Sequence, residues 1–349
     1  MEVYRLDPLS DPRWTEFVHK SPRASVFHTR DWLYSIHRTY GYEAVVFTTS
    51  RPAEELRNGL AFCRIRSWLT GNRMVSLPFS DHCDPLVDST EELDLLLNYL
   101  RADLESRGQR YLEIRPVNGR FEKMGHDVGF FPANQYYLHR LDLRPSLNEI
   151  FQGLHKSSVQ RRIQRAERAG IVCKRGRSEE VLRDFYNLLV LTRRRHHLPP
   201  QPYIWFQNLV DYMGEALQIR LAYRDTLPIA AVLTLRFRDR TYYKYGCSDI
   251  RFHNLGAMPA LLWTAIQESK AVGSVEFDLG RSESQNKGLL AFKNHWSRDR
   301  AKLVYWRYPA SGLLPLTEGR KLRMVRRAFS YMPNRLLAAT GRLIYRHIG

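Results

Sequence analysis

The sequence predicts an α/β (α+β) protein of two tandem domains with mixed sheets, followed by basic C-terminal helices. The order of elements runs twice along the chain: a strand, a helix pair, antiparallel strands, a helix and a strand. A length of 349 residues suits about two ordinary domains. A composition 44% hydrophobic and 26% charged supplies the apolar matter for two cores. The boundaries expected are 1–135, 136–310 and 311–349.

In the first half, Val3–Leu6 reads as a strand, and Pro12–His19 and Asp31–Tyr40 as helices. Strands follow at Ala44–Thr48, Asn58–Arg66 and Arg73–Leu77, then a helix at Glu91–Ser106 and a strand at Arg110–Arg115. The second half opens with a strand at Tyr136–Leu143 and helices at Ser157–Ala169 and Glu179–Arg195. Short strands at Leu217–Tyr223, Ile229–Phe237 and Thr241–Gly246 are joined by the turns RDTLP and RDR. A helix at Ala257–Ala271, a strand at Ser274–Leu279 and a closing strand at Leu303–Tyr308 complete the pass.

The helix Ser157–Ala169 carries Val159, Ile163 and Ala166 at spacings of four and three, one apolar stripe. Arg161, Arg165 and Arg168 repeat that spacing on the other side, and Gly170 stands where a left-handed cap ends a helix. A row of arginines without interspersed acids repels itself unless an anion arrives, so these three are candidate anion or nucleic-acid ligands; a solvated face is the alternative.

Charge is concentrated in the same region. Fifty-four Lys and Arg against thirty-six Asp and Glu give +18, and a pI near 9.9. His155–Arg177 holds eight basic residues against the single acid Glu167, and eight more follow Glu318 with no acid at all. Two such blocks point to polyanionic partners: nucleic acid, a phosphorylated substrate or anionic lipid. In the tail, Leu322, Val325 and Phe329 lie at helical spacing among arginines, and RLLAATGRLIYRHIG follows Pro333. Two cationic amphipathic helices there fit a membrane surface, a tRNA contact or packing within the protein.

No run reaches the length of a membrane span, and MEVYRLDPLSDPRW has neither the basic region nor the apolar run of a secretory signal. Cys63, Cys83, Cys173 and Cys247 are scattered without a CxxC pair, which argues against a disulfide framework or a metal site. A cytoplasmic protein is expected, with possible attachment at the inner face of the membrane.

HKSSVQRRIQRAERAGIVCKRG resembles the basic helix, glycine and short strand of the FemAB (FemABX) aminoacyltransferases. YYKYGCSDIRFHNLGAMPALLWTAIQESKAVGSVEFDLGRSESQNKGLLAFKNHW is similar to that family's signature: Tyr-x-Tyr-Gly-x-Ser, a helix with Leu-x-Trp-x-Ala-Ile, Asp-Leu-Gly, and Gly-Leu-x-x-Phe-Lys. VFHTRDWL and LPFSDHCDPLVD extend the ordered set into the first half. The resemblance implies two tandem GNAT-like (N-acetyltransferase-type) domains. It also implies transfer of an aminoacyl group from aminoacyl-tRNA to an amine of a peptidoglycan precursor, with no cofactor and no metal.

Aminolysis of an acyl ester needs an aimed neutral amine, a stabilised oxyanion and an assisted leaving group. On the resemblance, Phe292 and Lys293 match the family's Phe-Lys, and the lysine would stabilise the reacting acyl group; a surface lysine is the alternative. Asp278 shares a strand face with Glu276 and stands ready to orient the amine or to pair with Lys293 or Arg281. Tyr243 and Tyr245, read on one strand face before Gly246, match acceptor-pocket tyrosines, with core packing as the alternative. Arg195 in TRRRHH corresponds to a phosphate-binding arginine, and Asp88 to the first-domain acid, for which a turn or cap role competes. His82, His196 and His197 are of a type able to act as bases but receive no role.

One departure bears on the donor. Acyl-CoA-binding turns of this fold are rich in glycine, because their amides cradle pyrophosphate at a helix N-terminus. Here the stretch is His253-Asn-Leu-Gly256-Ala-Met258, with one glycine. An acyl-CoA- or carrier-dependent N-acyltransferase acting on a saccharide or amino sugar is the rival enzyme, and a non-catalytic RNA-binding protein the rival outside catalysis.

Overall fold

The computed structural model of the protein describes residues 2–117, 119–309, 329 and 332–349. The first expected C-terminal helix, 320–329, lies outside them apart from Phe329. The chain forms two compact units. The first takes the described residues of Met1–Tyr136, Lys302–Thr317 and Leu343–Gly349, and the second those of Tyr137–Ala301 and Glu318–Arg342.

Unit one carries β1 (Tyr4–Leu6), α1 (Pro12–Lys20), α2 (Arg30–Tyr40), β2 (Glu43–Thr48), β3 (Leu60–Ile65) and β4 (Arg73–Val75). Then come α3 (Thr90–Ser106), β5 (Tyr111–Ile114) and α4 (Arg120–Asp127). Local chemistry sets the boundaries. Asp11 and Thr29 accept backbone amides as N-caps of α1 and α2, and Gly41 ends α2 in the left-handed region at φ 72°. Leu93, Leu96, Leu97, Leu100 and Leu104 line one side of α3 and pack on Phe47, Phe62 and Leu112 of the sheet. Each such side chain contributes about 1.5–3 kcal/mol on burial.

The closing strand differs from expectation. β12 (Arg300–Tyr308) does not finish the second domain's sheet; from Lys302 onward it belongs to unit one, antiparallel to β5 through Trp306↔Ile114 and Tyr308↔Leu112. Trp306 joins the core against Phe121. Arg307 Nε donates to Glu113 Oε2 at 2.7 Å, and Arg115 lies 2.8 Å from Oε1. β6 (Phe131–Asp142) starts in unit one and ends in unit two.

Unit two continues with α5 (Leu147–Gly153), a single π-helical turn at Lys156–Gln160, α6 (Arg161–Arg168), β7 (Val172–Gly176), α7 (Glu179–Arg195) and α8 (Tyr203–Met213). β8 (Leu217–Arg224), β9 (Leu227–Phe237) and β10 (Arg240–Ser248) form an antiparallel meander. α9 (Ala257–Ala271) then crosses to β11 (Glu276–Glu283), parallel to β10, and α10 (Lys287–Asn294) follows. The strand order in this unit is β7-β8-β9-β10-β11-β6. Val159, Ile163 and Ala166 are buried as their spacing requires. The expected continuous helix instead opens with the π turn, where His155 Nδ1 accepts the Ser158 amide and Gln160 Nε2 donates to the carbonyls of Phe151 and Leu154. The second C-terminal helix is present as α11 (Asn334–Ile348).

Two irregularities open the sheet of unit two between β10 and β11. The register of β10 on β9 slips between Tyr243 and Tyr245, so Lys244 forms a bulge. Pairing of β10 with β11 is confined to Arg240↔Glu276, Thr241↔Phe277 and Tyr242↔Asp278, although both strands run on. Beyond Tyr242 the two strands part.

The Glu113 cluster gives a stability test. Burial, the largest influence on this carboxyl, raises its pKa, but Arg115 and Arg307 together outweigh burial and hold it below the ordinary 4.5. A depressed carboxylate contributes stability that is complete above about 4.5 and is lost as pH falls through the folded value. Glu113→Gln should cost about 3 kcal/mol in urea unfolding at neutral pH, because two arginines lose their buried partner. The penalty should shrink on acidification below about pH 4.5.

Candidate active site

Two cavities lie side by side in unit two and share His295. The first, about 310 Å³, is walled by Ala257, Met258 and Pro259 at the start of α9, by Ser248 and His253, by Arg162 of α6, and by Gly288, Ala291 and Phe292 of α10. It lies on the stretch where β10 has left β11. The second, about 650 Å³, is walled by His155, Lys156, Arg161, Asn294 and Arg298 among others, and no acid is among its described lining residues.

The parting of the strands has a local cause. Gly280 sits at φ +73°, a turn of β11 that a side chain would strain. Its amide donates to Asp278 Oδ1 at 2.6 Å. Lys293, only 3% exposed, donates from Nζ to the carbonyls of Gly280 at 2.8 Å and Arg281 at 2.7 Å. Asp278 and Lys293 therefore serve the turned strand from either side of Gly280. Neither is among the described residues lining these two cavities. Lys293 is thus a buried lysine and not a surface one: burial without bonds would leave its charge unsolvated, and the freed carbonyls of β11 satisfy it.

The other expected residues divide. Phe292 lines the first cavity and Arg161 the second. Arg195 reaches the first from behind, with Nη1 3.3 Å from the Ser248 carbonyl and 3.4 Å from His253 Nε2. Tyr243 and Tyr245 do not share a face. The Lys244 bulge turns them to opposite sides, pairing them with the consecutive residues Thr234 and Leu233. Tyr245 is buried, and its hydroxyl accepts from Trp205 Nε1 at 2.9 Å, a core role. Tyr243 packs on the α9 side, its hydroxyl folded over Gly246, where a Cβ would come within 1.8 Å. Arg281 lends its carbonyl to Lys293. Asp88 is an exposed residue of unit one paired with Arg23 at 2.7 Å. Arg165 donates to the Asn254 carbonyl at 3.2 Å, and Arg168 is exposed away from both cavities.

Four ionisable residues of the first cavity carried no site assignment from sequence: Arg162, Asp249, His253 and His295. Arg162 was visible only as one charge in a basic block. The imidazoles have no sequence partner that marks them. His253 Nε2 lies 2.8 Å from Ser248 Oγ. The ring centroids of His155 and His295 lie 4.3 Å apart with the planes tilted by 40°, and the His155 amide donates to the His295 carbonyl at 3.0 Å. Burial first, then Arg195 and Arg162, hold His253 below the ordinary 6.5; burial, then His155 and Arg162, do the same for His295. These shifts favour the neutral imidazole, the form able to accept a proton.

The turn before α9 is closely packed. Asp249 accepts the Arg251 amide at 3.0 Å and starts a short 3₁₀ segment, Ile250–Leu255. Gly256 follows at φ +79°, against α6: a Cβ there would stand 2.1 Å from the Arg162 carbonyl oxygen. Among the described residues, no group of three or more His, Cys, Asp or Glu is placed to hold a metal ion.

The imidazoles provide a direct check. Arg195→Ala removes a cation beside His253, so its NMR titration midpoint should move up toward 6.5, while that of His295 stays put. No upward movement would show that Arg195 does not set the charge of this ring.

Comparison with known proteins places this geometry. Residues 154–294 match the family model described as an acetyltransferase (GNAT) domain, a segment holding the first cavity's lining from Ser158 to Phe292. No curated protein sequence matches the chain. A crystal structure of FemX superposes with a TM-score of 0.70 at 14% identity, over 87% of this chain and 97% of FemX. L-PGS from Bacillus licheniformis gives 0.57 at 15% identity, over 93% and 98%. A tandem GNAT protein from the clavulanic acid biosynthesis pathway gives 0.54 at 10% identity, over 88% and 97%. The chain thus carries a segment that matches an acetyltransferase (GNAT) domain, within a fold shared with FemX.

Proposed function

We propose that the protein transfers an aminoacyl group from aminoacyl-tRNA to an amine of a peptidoglycan precursor, forming an amide bond. The reading is carried by the two adjoining cavities of unit two, one walled by Arg162, Asp249 and two imidazoles, the other by Lys156, Arg161 and Arg298 with no acid among its described lining. The 3′ end of a charged tRNA brings an ester carbonyl flanked by phosphates, which suits Arg162 and the α9 N-terminus at one cavity and Lys156, Arg161 and Arg298 at the other.

In this mechanism the acceptor nitrogen attacks the ester carbonyl, a C–N bond forms and the C–O bond to the ribose breaks. The proton shed by nitrogen passes to a neutral imidazole, His253 or His295, and on to the departing ribose oxygen. Positive potential from Arg162 and the helix amides opposes the charge that grows on the attacked oxygen. Lys293 and Asp278 act one step removed, by holding β11 in the turned path that opens the cleft.

The donor choice over acyl-CoA is supported by the packing of the turn before α9. Gly256, the one glycine of that turn, packs against the Arg162 carbonyl, and Arg165 takes the Asn254 carbonyl, so the turn is tied to α6 and lacks the further glycines of an acyl-CoA cradle. The acyl-CoA reading, with a saccharide or amino sugar as acceptor, draws support from the acetyltransferase domain match.

Incubation with charged tRNA or acyl-CoA pools plus cell-wall precursors, read by mass spectrometry, separates the two. An aminoacylated precursor formed only with charged tRNA is the expected product; acylation from the CoA pool alone overturns the assignment. Arg162→Ala should lower kcat/KM at least about tenfold with an unchanged melting temperature. Lys293→Met should lower activity and melting temperature together, since two buried carbonyls lose their donor.

A further inference from the structure

Helix α11 is oriented by its buried side. Leu337 is fully buried, and Gly341 lies so close to the Pro200 carbonyl that a Cβ would stand 1.9 Å from it. The exposed residues include Leu336, Ala339, Arg342, Leu343 and Arg346, recurring at three- and four-residue spacing along one face. Solvent-facing helices ordinarily mix acids with bases and spare large aliphatics. This face does neither: Leu343 is 68% exposed, and no acid occurs after Glu318.

The last turn of this helix, in unit one, adjoins a second exposed apolar point of the same unit. Thr70 Oγ1 donates to the His347 carbonyl at 2.6 Å, and Ser67 Oγ lies 2.9 Å from His347 Nδ1. Between those anchors project Trp68, 86% exposed, and Leu69, 57% exposed, the indole edge-on to the His347 ring. Arg110, also exposed, donates to the Thr70 carbonyl at the base of this tip, and the exposed Arg66 precedes it. The anchoring bonds hold the Trp68–Leu69 tip in place without burying it. Leu343 lies one helical turn before His347, and Ile348, just after it, is 54% exposed.

We propose that the Trp68–Leu69 tip and the last turns of α11, from Leu343 onward, together seat the protein on a bilayer containing anionic phospholipid. Tryptophan prefers the headgroup level, leucines enter the acyl boundary, and arginines meet lipid phosphates. The charge alone would serve RNA equally well. The aliphatic side chains decide for lipid, because Leu69, Leu343 and Ile348 gain nothing against a phosphate backbone, whereas an interface buries them. The inference does not depend on which acyl donor the cleft uses.

Flotation of the full-length chain tests it with two vesicle types: phosphatidylcholine alone, and phosphatidylcholine with about 30% phosphatidylglycerol. The protein should float with the anionic vesicles and lose binding as salt rises. The double variant Trp68→Ser/Leu343→Ser should reduce partitioning about tenfold or more, with melting temperature, RNA affinity and turnover of soluble substrates unchanged. Wild-type protein that fails to float, or a double variant that floats equally well, overturns the proposal. So does a triple variant of Arg66, Arg110 and Arg346 to Ser that loses RNA affinity yet keeps its vesicle binding, which would make the patch an RNA surface.

Discussion

The bonds from the Lys293 ammonium to the carbonyls of Gly280 and Arg281 are the constraint on which the cleft depends. A parallel strand that leaves its neighbour exposes polar backbone, and buried polar backbone must find partners. Here a buried cation and the Asp278 carboxylate satisfy the turned segment of β11 from its two sides. The Lys244 bulge ends regular register on β10 at nearly the same level. The cleft is therefore a consequence of two local irregularities, each chemically satisfied, rather than of a missing element.

Electrostatics completes the site. Burial lowers the pKa of both imidazoles of the first cavity, and Arg195 and Arg162 beside His253, with His155 and Arg162 beside His295, add to that shift. One set of side chains thus performs two tasks: it attracts an anionic donor and keeps nearby bases able to accept a proton. Removing the cations to study binding would change the bases too, so the two effects need separate readouts.

Much of the fold was legible because it rests on local periodicity. The stripe Val159–Ile163–Ala166, the α3 leucines and the tight turns of the meander each follow from spacing and turn chemistry. Parts of the candidate site were legible through the ordered resemblance, which brought Phe292, Lys293 and Arg195 forward. Three things were not. Alternation in YYKYG places Tyr243 and Tyr245 on one face, and nothing in those letters announces the inserted residue that separates them. His253 and His295 gain their roles from neighbours distant in sequence, Arg195 and His155. α8, which received no element from sequence, begins just after Pro199, Pro200 and Pro202, with Pro202 as its cap residue. The destination of β12 is likewise non-local: its alternation identifies a strand but not the sheet it joins.

That destination has a consequence for biosynthesis. A ribosome emits the chain vectorially, and the strand that completes the first unit's sheet appears only after residues 137–301 have emerged. Until then Glu113 lacks the guanidinium of Arg307, and the hydrophobic cluster lacks the indole of Trp306. The nascent amino-terminal unit must wait with an open sheet edge, whereas the interior unit holds its meander and crossover helix in one uninterrupted stretch. A chain cut after residue 301 would forfeit the strand that pairs with β5 in the first unit.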